Sequence, residues 1–238
     1  MIGEKGRKVS PAKRDEAEKP FWISFSDLMS ALMVLFLVAM TVALLAITQA
    51  VSETEQRSEQ RTQEINQFLV DLTQLTQEFP GVSVRGQIID FGERARFDTN
   101  SHRLAESHAQ LLTQFVPRVL ALAESTEGKR WLKRIAVEGF ADARGSYLHN
   151  LNLSLQRSER VLCALLLPIH GNLLPEADRR AIKKLFVVSG ASFNSLRNSP
   201  EESRRIELRL EFLQLDENPA APAASQEETD KHCPLDMR

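Results

Sequence analysis

Two places in this sequence combine residue types that can do chemistry. The first is Asp27, within Trp22-Ile23-Ser24-Phe25-Ser26-Asp27-Leu28-Met29, at the N-terminal edge of an apolar run. A carboxylate inside a bilayer costs roughly 2.5–3.5 kcal/mol on insertion scales, so it has a task or a partner. A plainer role is open as well: an Asp in the first turn of a helix is favoured by the macrodipole and reaches interfacial water. The second is Gly139-Phe140-Ala141-Asp142-x-x-Gly145, followed by Asn150-x-x-Leu153-Ser154-x-x-Arg157. On residue types alone, Asp142 and Arg157 form an internal salt bridge that closes a loop onto the next helix.

Other chemistries find no support. The sequence holds no HExxH, no GxxxxGK[ST] and no GxSxG, so zinc-protease, phosphate-loop and nucleophile-elbow readings lack their residues. Its five histidines are scattered, and its two cysteines, Cys163 and Cys233, are far apart with no metal spacing. No disulfide is expected between them, since Cys233 lies in a polar tail. The formal net charge of -2 gives no electrostatic reason for direct nucleic-acid binding. No catalytic residue, metal or cofactor is assigned, and the chain reads as a non-enzyme.

The elements that must position Asp27 are plain. Leu28 to Ile47 is apolar except for Ser30 and Thr41. At about 1.5 Å per residue it spans roughly 30 Å, the thickness of a bilayer core. Lys5, Arg7, Lys8, Lys13, Arg14 and Lys19 outnumber the acids before it, which places the N-terminus in the cytoplasm. Thr48-Gln49-Ala50 is a loose signal-peptidase site, but the run exceeds the usual length of a signal segment. Phe21 and Trp22 stand where an interfacial anchor belongs. Residues 51–79 read as a polar helix with a stripe of Ile65, Phe68, Leu69, Leu72, Leu75 and Phe79. A second copy of that helix and the chain's own domain are equally good partners for it. Pro80-Gly81 ends it.

Residues 82–213 read as an α/β domain. A strand falls within Val82–Phe91. A helix from Leu104 carries Leu111, Leu112, Phe115, Val116, Val119 and Leu120, and Trp131–Gly139 is a strand. Asp142–Ser154 reads as a loop, with Ser154 capping the helix that follows and Arg157 in its first turn. Residues 175–184 suggest a short helix, and Leu185–Val188 and Ile206–Phe212 two final strands. The order β-α-β-α-β-β predicts a mixed sheet with helices on one side. Residues 214–238 are Ala-, Pro-, Glu- and Gln-rich and read as disordered.

The Trp22-x-Ser24-Phe25-Ser26-Asp27-Leu28-Met29 string resembles the N-terminal motif of MotB-type stator subunits. That resemblance implies that Asp27 binds the transported ion. A carboxylate shielded from water holds its proton more tightly, and contact with a water-filled cavity would release it. Alternating exposure would then turn a proton or sodium gradient into motion. Hydroxyls at Ser24, Ser26, Ser30 and Thr41 fit a wet path, and equally fit ordinary interhelical hydrogen bonding. The Gly139–Arg157 spacing, with Phe97, Leu104 and Arg204-Arg205-Ile206-Glu207, resembles the OmpA C-terminal family of peptidoglycan-binding domains. That family's ligand is diaminopimelate in the wall's peptide stem. By this resemblance Asp142 takes its ammonium and Arg157 clamps its carboxylate. Asn150 orients it, and His149 and Leu153 wall the pocket. Phe140-Ala141, where the family has His-Thr, and an apparent insertion over 168–184 depart from the pattern.

Together these imply a cytoplasmic tail (1–20), a transmembrane helix (21–48), a periplasmic linker helix (49–81), a wall-binding domain (82–213) and a tail (214–238). The expected protein is a single-pass inner-membrane stator subunit, homodimeric within a hetero-oligomer and partnered by a MotA-like multi-span subunit and peptidoglycan. Within that group the chain resembles the B-subunit of Zorya anti-phage systems, whose partner is the Zorya A-subunit, because segment 49–81 is shorter than flagellar B-subunits generally have. A flagellar-type stator and a passive wall tether are the alternatives.

Overall fold

The computed structural model describes residues 19–168, 173–218 and 232–236. The basic N-terminal cluster before Lys19, part of the 168–184 segment and most of the tail lie outside the described residues, as do the side chains of Phe21 and Ser24. The chain divides into two compact units, residues 1–56 and 57–238.

Helix α1 (Lys19–Thr76) supplies all the described secondary structure of the first unit. Among the described residues it is the one helix long and apolar enough to cross a membrane, with mean hydropathy 2.7 over its most apolar stretch. Every residue from Phe25 to Gln60 is exposed. A core helix would bury its apolar stretch, Leu28 to Val51; here that stretch is left open to lipid or a partner, whereas the polar residues after it suit water. Asp27 is the ninth residue of α1, two turns past its start, so it caps nothing and gains little from the end of the dipole. The Ser30 hydroxyl donates to the Ser26 carbonyl and that of Thr41 to Val38, both at 2.8 Å. Both hydroxyls are thus engaged by their own helix.

In the second unit, the last turns of α1 lay Ile65, Phe68, Leu72 and Leu75 into the main core. The apolar stripe therefore has its partner in its own domain. Phe68 meets Phe212 edge-on at 5.8 Å, and Phe79 meets Phe115 at 5.1 Å. A polar clasp reinforces this packing: Glu64 accepts from the Trp131 indole at 2.6 Å and from Arg130 at 2.9 and 3.1 Å. The indole N–H, foremost, holds the Glu64 carboxyl below its ordinary value.

Strands β1 (Ser83–Arg85) and β2 (Ile88–Asp90) form a tight hairpin. Gly86, at φ +60°, adopts the left-handed conformation such turns need. Sequence periodicity showed one strand here, because each arm spans three residues. Helices α2 (Glu106–Ala123) and α3 (Thr126–Trp131) lead into β3 (Leu132–Gly139). Then come α4 (Tyr147–Leu166), α5 (Glu176–Leu185), β4 (Phe186–Gly190), the short α6 (Pro200–Ser203) and β5 (Ile206–Phe212). The sheet order is β1-β2-β5-β3-β4, with β3 and β4 parallel and the other pairs antiparallel. The final strand thus enters the middle of the expected mixed sheet.

One face of the sheet is core: Ile89, Ile135, Val137, Leu208 and Leu210 are fully buried. On the other face the register sets Glu207 opposite both Asp90 and Glu138, a repulsive arrangement unless cations intervene. They do: Arg209 forks onto Glu138 at 2.8 and 2.9 Å, Arg205 and Arg197 reach Glu207, and Arg197 and Arg85 reach Asp90.

Two sequence expectations are corrected. Cys163 and Cys233 are joined in a disulfide, with Cα atoms 5.5 Å apart. Their separation of 70 residues hid a closeness that only the fold creates. The tail is also not featureless: Cys233 and Leu235 are buried, Asp236 pairs with Arg160 at 2.8 Å, and Glu217 pairs with Lys133.

Candidate functional site

The loop from Asp142 to Ser154 expected from sequence is shorter, because α4 begins at Tyr147. Ser146 is its cap, accepting from the His149 N–H at 3.3 Å. Ser154 is a fully buried mid-helix residue, and Arg157 lies in the third turn rather than the first. The asparagines at 150 and 152 weaken the local helical signal, and tertiary bonds override it. The Asn150 amide donates to the Arg144 carbonyl at 2.8 Å, and the Ser154 hydroxyl accepts from the Ser192 N–H at 3.1 Å.

This geometry builds a cavity of about 220 Å³. Asp142, Arg144 and Gly145 enter it from the loop after β3, and His149, Asn150, Leu153 and Arg157 from α4. Thr99 and Asn100 come from the segment before α2, and Arg204 from the end of α6. All five residues singled out by sequence for wall binding therefore line one cavity. Sequence reasoning passed over Thr99, Asn100 and Arg144. Arg204 was noticed only as part of a closing segment. The turn-forming run Asp98-Thr99-Asn100-Ser101 was a local signal for a loop there.

The bonding differs from a simple Asp142–Arg157 pair. Asp142 accepts from Arg204 at 2.9 Å and from the Arg144 N–H at 3.0 Å. Burial works to raise its pKa, but the Arg144 N–H and the Arg204 guanidinium together outweigh it, and the carboxyl is held below its ordinary value. Arg157 is completely buried. Its guanidinium donates to the carbonyls of Ser101 at 2.9 Å, Phe140 at 2.6 Å and Asp98 at 3.1 Å, and stacks 5.0 Å from the Phe97 ring centroid. Desolvation, then the neighbouring Arg204 charge, lowers its pKa to about 10, with Asp142 opposing. It remains a cation at neutral pH. Of its five N–H groups, one on each terminal nitrogen is left over from these bonds. The His149 ring contacts the Asn100 side-chain oxygen at 2.8 Å, closing the rim between α4 and the segment before α2. A carboxylate and a guanidinium held at fixed places in one cavity can receive the two ends of a zwitterion.

No family model matches the chain. It is 42% identical over 213 residues to the Zorya protein ZorB of Escherichia coli O139:H28, covering 87% of this chain and 86% of that protein. Among solved structures, a putative MotB-like protein from Desulfovibrio vulgaris is 17% identical, with TM-score 0.40, covering 66% of this chain and 98% of that one. The cell wall anchor of the T6SS from Pseudomonas aeruginosa is 16% identical, with TM-score 0.37, covering 61% and 95%. The extent and level of the first match define a Zorya protein. The chain belongs to the ZorB family.

Proposed function

We propose that this protein is the wall-anchored subunit of an ion-driven membrane motor acting in anti-phage defence. α1 crosses the inner membrane once, with the N-terminus cytoplasmic and the α/β domain in the periplasm. Two copies assemble with a MotA-like multi-span subunit, the A-subunit of the Zorya system. Asp27 carries the proton or sodium ion, and the cavity on the α/β domain holds the diaminopimelate of the peptidoglycan stem. There Asp142 receives the ammonium and Arg157 the carboxylate. His149, Asn150 and Leu153 form the wall of the pocket.

The observation that carries this reading is the joint one. A ZorB-family chain has an acid two turns into the one membrane-length helix among its described residues, and a cavity lined by a carboxylate and guanidinium groups on its folded domain. A passive tether needs no acid at position 27. The test is Asp27→Asn, which keeps size and hydrogen bonding but neither takes up nor releases a proton. Plaque formation is measured on cells carrying the whole system, with membrane assembly and sacculus binding followed in parallel. The expected variant assembles and binds the wall yet gives no protection. Full protection by a well-assembled variant would leave a wall tether as the better description.

A further inference from the structure

The charges that line the cavity do not balance. Arg144, Arg157 and Arg204 face one carboxylate, Asp142. Arg204 is already paired with two acids: it donates to Asp142 and Glu201, as well as to the Phe97 carbonyl. Arg157 is held by carbonyls alone, which bring no charge. Arg144 differs from both. Its N–H is tied to Asp142 and its carbonyl to Asn150, so its backbone is fixed on two sides. Its side chain is exposed at the cavity and has no hydrogen bond or ion pair among the described residues. It is a guanidinium on an anchored backbone, within the fields of Asp142 and Glu201 but bonded to neither.

A zwitterionic diamino-acid end is neutral. It occupies Asp142 and Arg157 and leaves Arg144 unmatched. The wall's peptide stem offers a second anion next door: the residue before the diamino acid is a γ-linked D-glutamate, whose α-carboxylate is free unless it is amidated. We propose that Arg144 is a specificity-determining residue that pairs with this second carboxylate, so the cavity prefers unamidated stem peptides. The inference rests on the wall-binding reading above and adds to it which chemical form of the wall is held.

The test is calorimetric titration of the full chain in detergent. The probes are free meso-diaminopimelate, L-alanyl-γ-D-glutamyl-meso-diaminopimelate, and the same tripeptide with the glutamate α-carboxylate amidated. The wild type is expected to bind the acid tripeptide about three- to tenfold tighter than the amide, the range of a partly exposed charge pair. Arg144→Gln is expected to bind the two tripeptides equally. The assignment is overturned if the wild type binds both tripeptides alike, if Arg144→Gln keeps the preference, or if it binds neither. Should the wild type bind none of the three probes, the wall-binding reading itself fails and takes this one with it. Binding without discrimination removes only Arg144.

Discussion

Arg157→Ala would remove a buried structural cation as well as a ligand contact. Three carbonyls, those of Asp98, Ser101 and Phe140, lose their donor. A buried polar group left unsatisfied costs about 1–3 kcal/mol, toward the lower end where water fills the vacated space. The lost contact with the Phe97 ring adds about 1 kcal/mol. One effect runs the other way. A guanidinium whose pKa is lowered to about 10 is disfavoured as a cation by about 3 kcal/mol relative to water, and its deletion returns that penalty. The carbonyl losses win, and the net destabilisation is about 1–4 kcal/mol. Urea unfolding followed by tryptophan fluorescence reads this directly as a lowered midpoint with an unchanged slope. Arg157→Lys, which keeps the charge but not the planar fork, falls between wild type and Ala. An Ala variant with the wild-type midpoint would refute the reasoning. It would show that the carbonyl web contributes nothing to stability, and that Arg157 serves the ligand alone, as the family resemblance implied.

Two further predictions concern stability. Reducing the Cys163–Cys233 bond, or Cys233→Ser, opens a loop of 70 residues and costs about 4 kcal/mol by the chain-entropy argument. A thermal melt with and without reductant measures it, and coincident melts would show that the bond does not hold the fold. The second is a pH dependence. Burial, foremost, lowers the pKa of both His102 and His108; the nearby charge of Arg160 then adds to it at His102, and that of Arg94 at His108. Just below pH 6.5 the unfolded chain takes up protons that the folded one refuses, so stability is lost as pH falls from 6.5 through the folded values. The melting temperature at pH 5.5 should lie below that at pH 7.5, and His108→Gln should shrink the gap. An equal gap in that variant would exclude His108 as a cause.

The membrane-length helix and the later strands were legible because each is written in a repeating pattern of side chains. Leu28 to Ile47 is apolar but for Ser30 and Thr41, and β5 alternates buried Leu208 and Leu210 with Arg209 and Glu211. The residues of the cavity wall were legible through motif spacing, but their bonding was not. Asp142 was set against Arg157 because the two are close in sequence, whereas its partner is Arg204, 62 residues away. The N-terminus of α4 was placed late because Asn150 and Asn152 are poor helix formers. Nothing local reveals that the Asn150 amide is satisfied by Arg144 outside the helix. The disulfide escaped for the same reason: proximity across 70 residues is a property of the fold and not of any segment.

What brings the two halves of the cavity together is a missing side chain. A Cβ at Gly139 would lie 2.0 Å from the Ser154 carbonyl oxygen, and one at Gly190 2.6 Å from the Ser154 hydroxyl. Both contacts are below what any real Cβ shows, so α4 lies against the ends of β3 and β4 more closely than a side chain at either position would permit. That closeness sets the site. Ser154 is one turn before Arg157 on α4, and Gly139 is one residue before Phe140, whose carbonyl accepts from Arg157 at 2.6 Å. With a side chain at Gly139, α4 would be held off the sheet, and the guanidinium would move away from Phe140 and from the loop that carries Asp142. The glycine that opens the Gly139–Gly145 motif therefore serves the cavity by packing, while the loop after it supplies the charge.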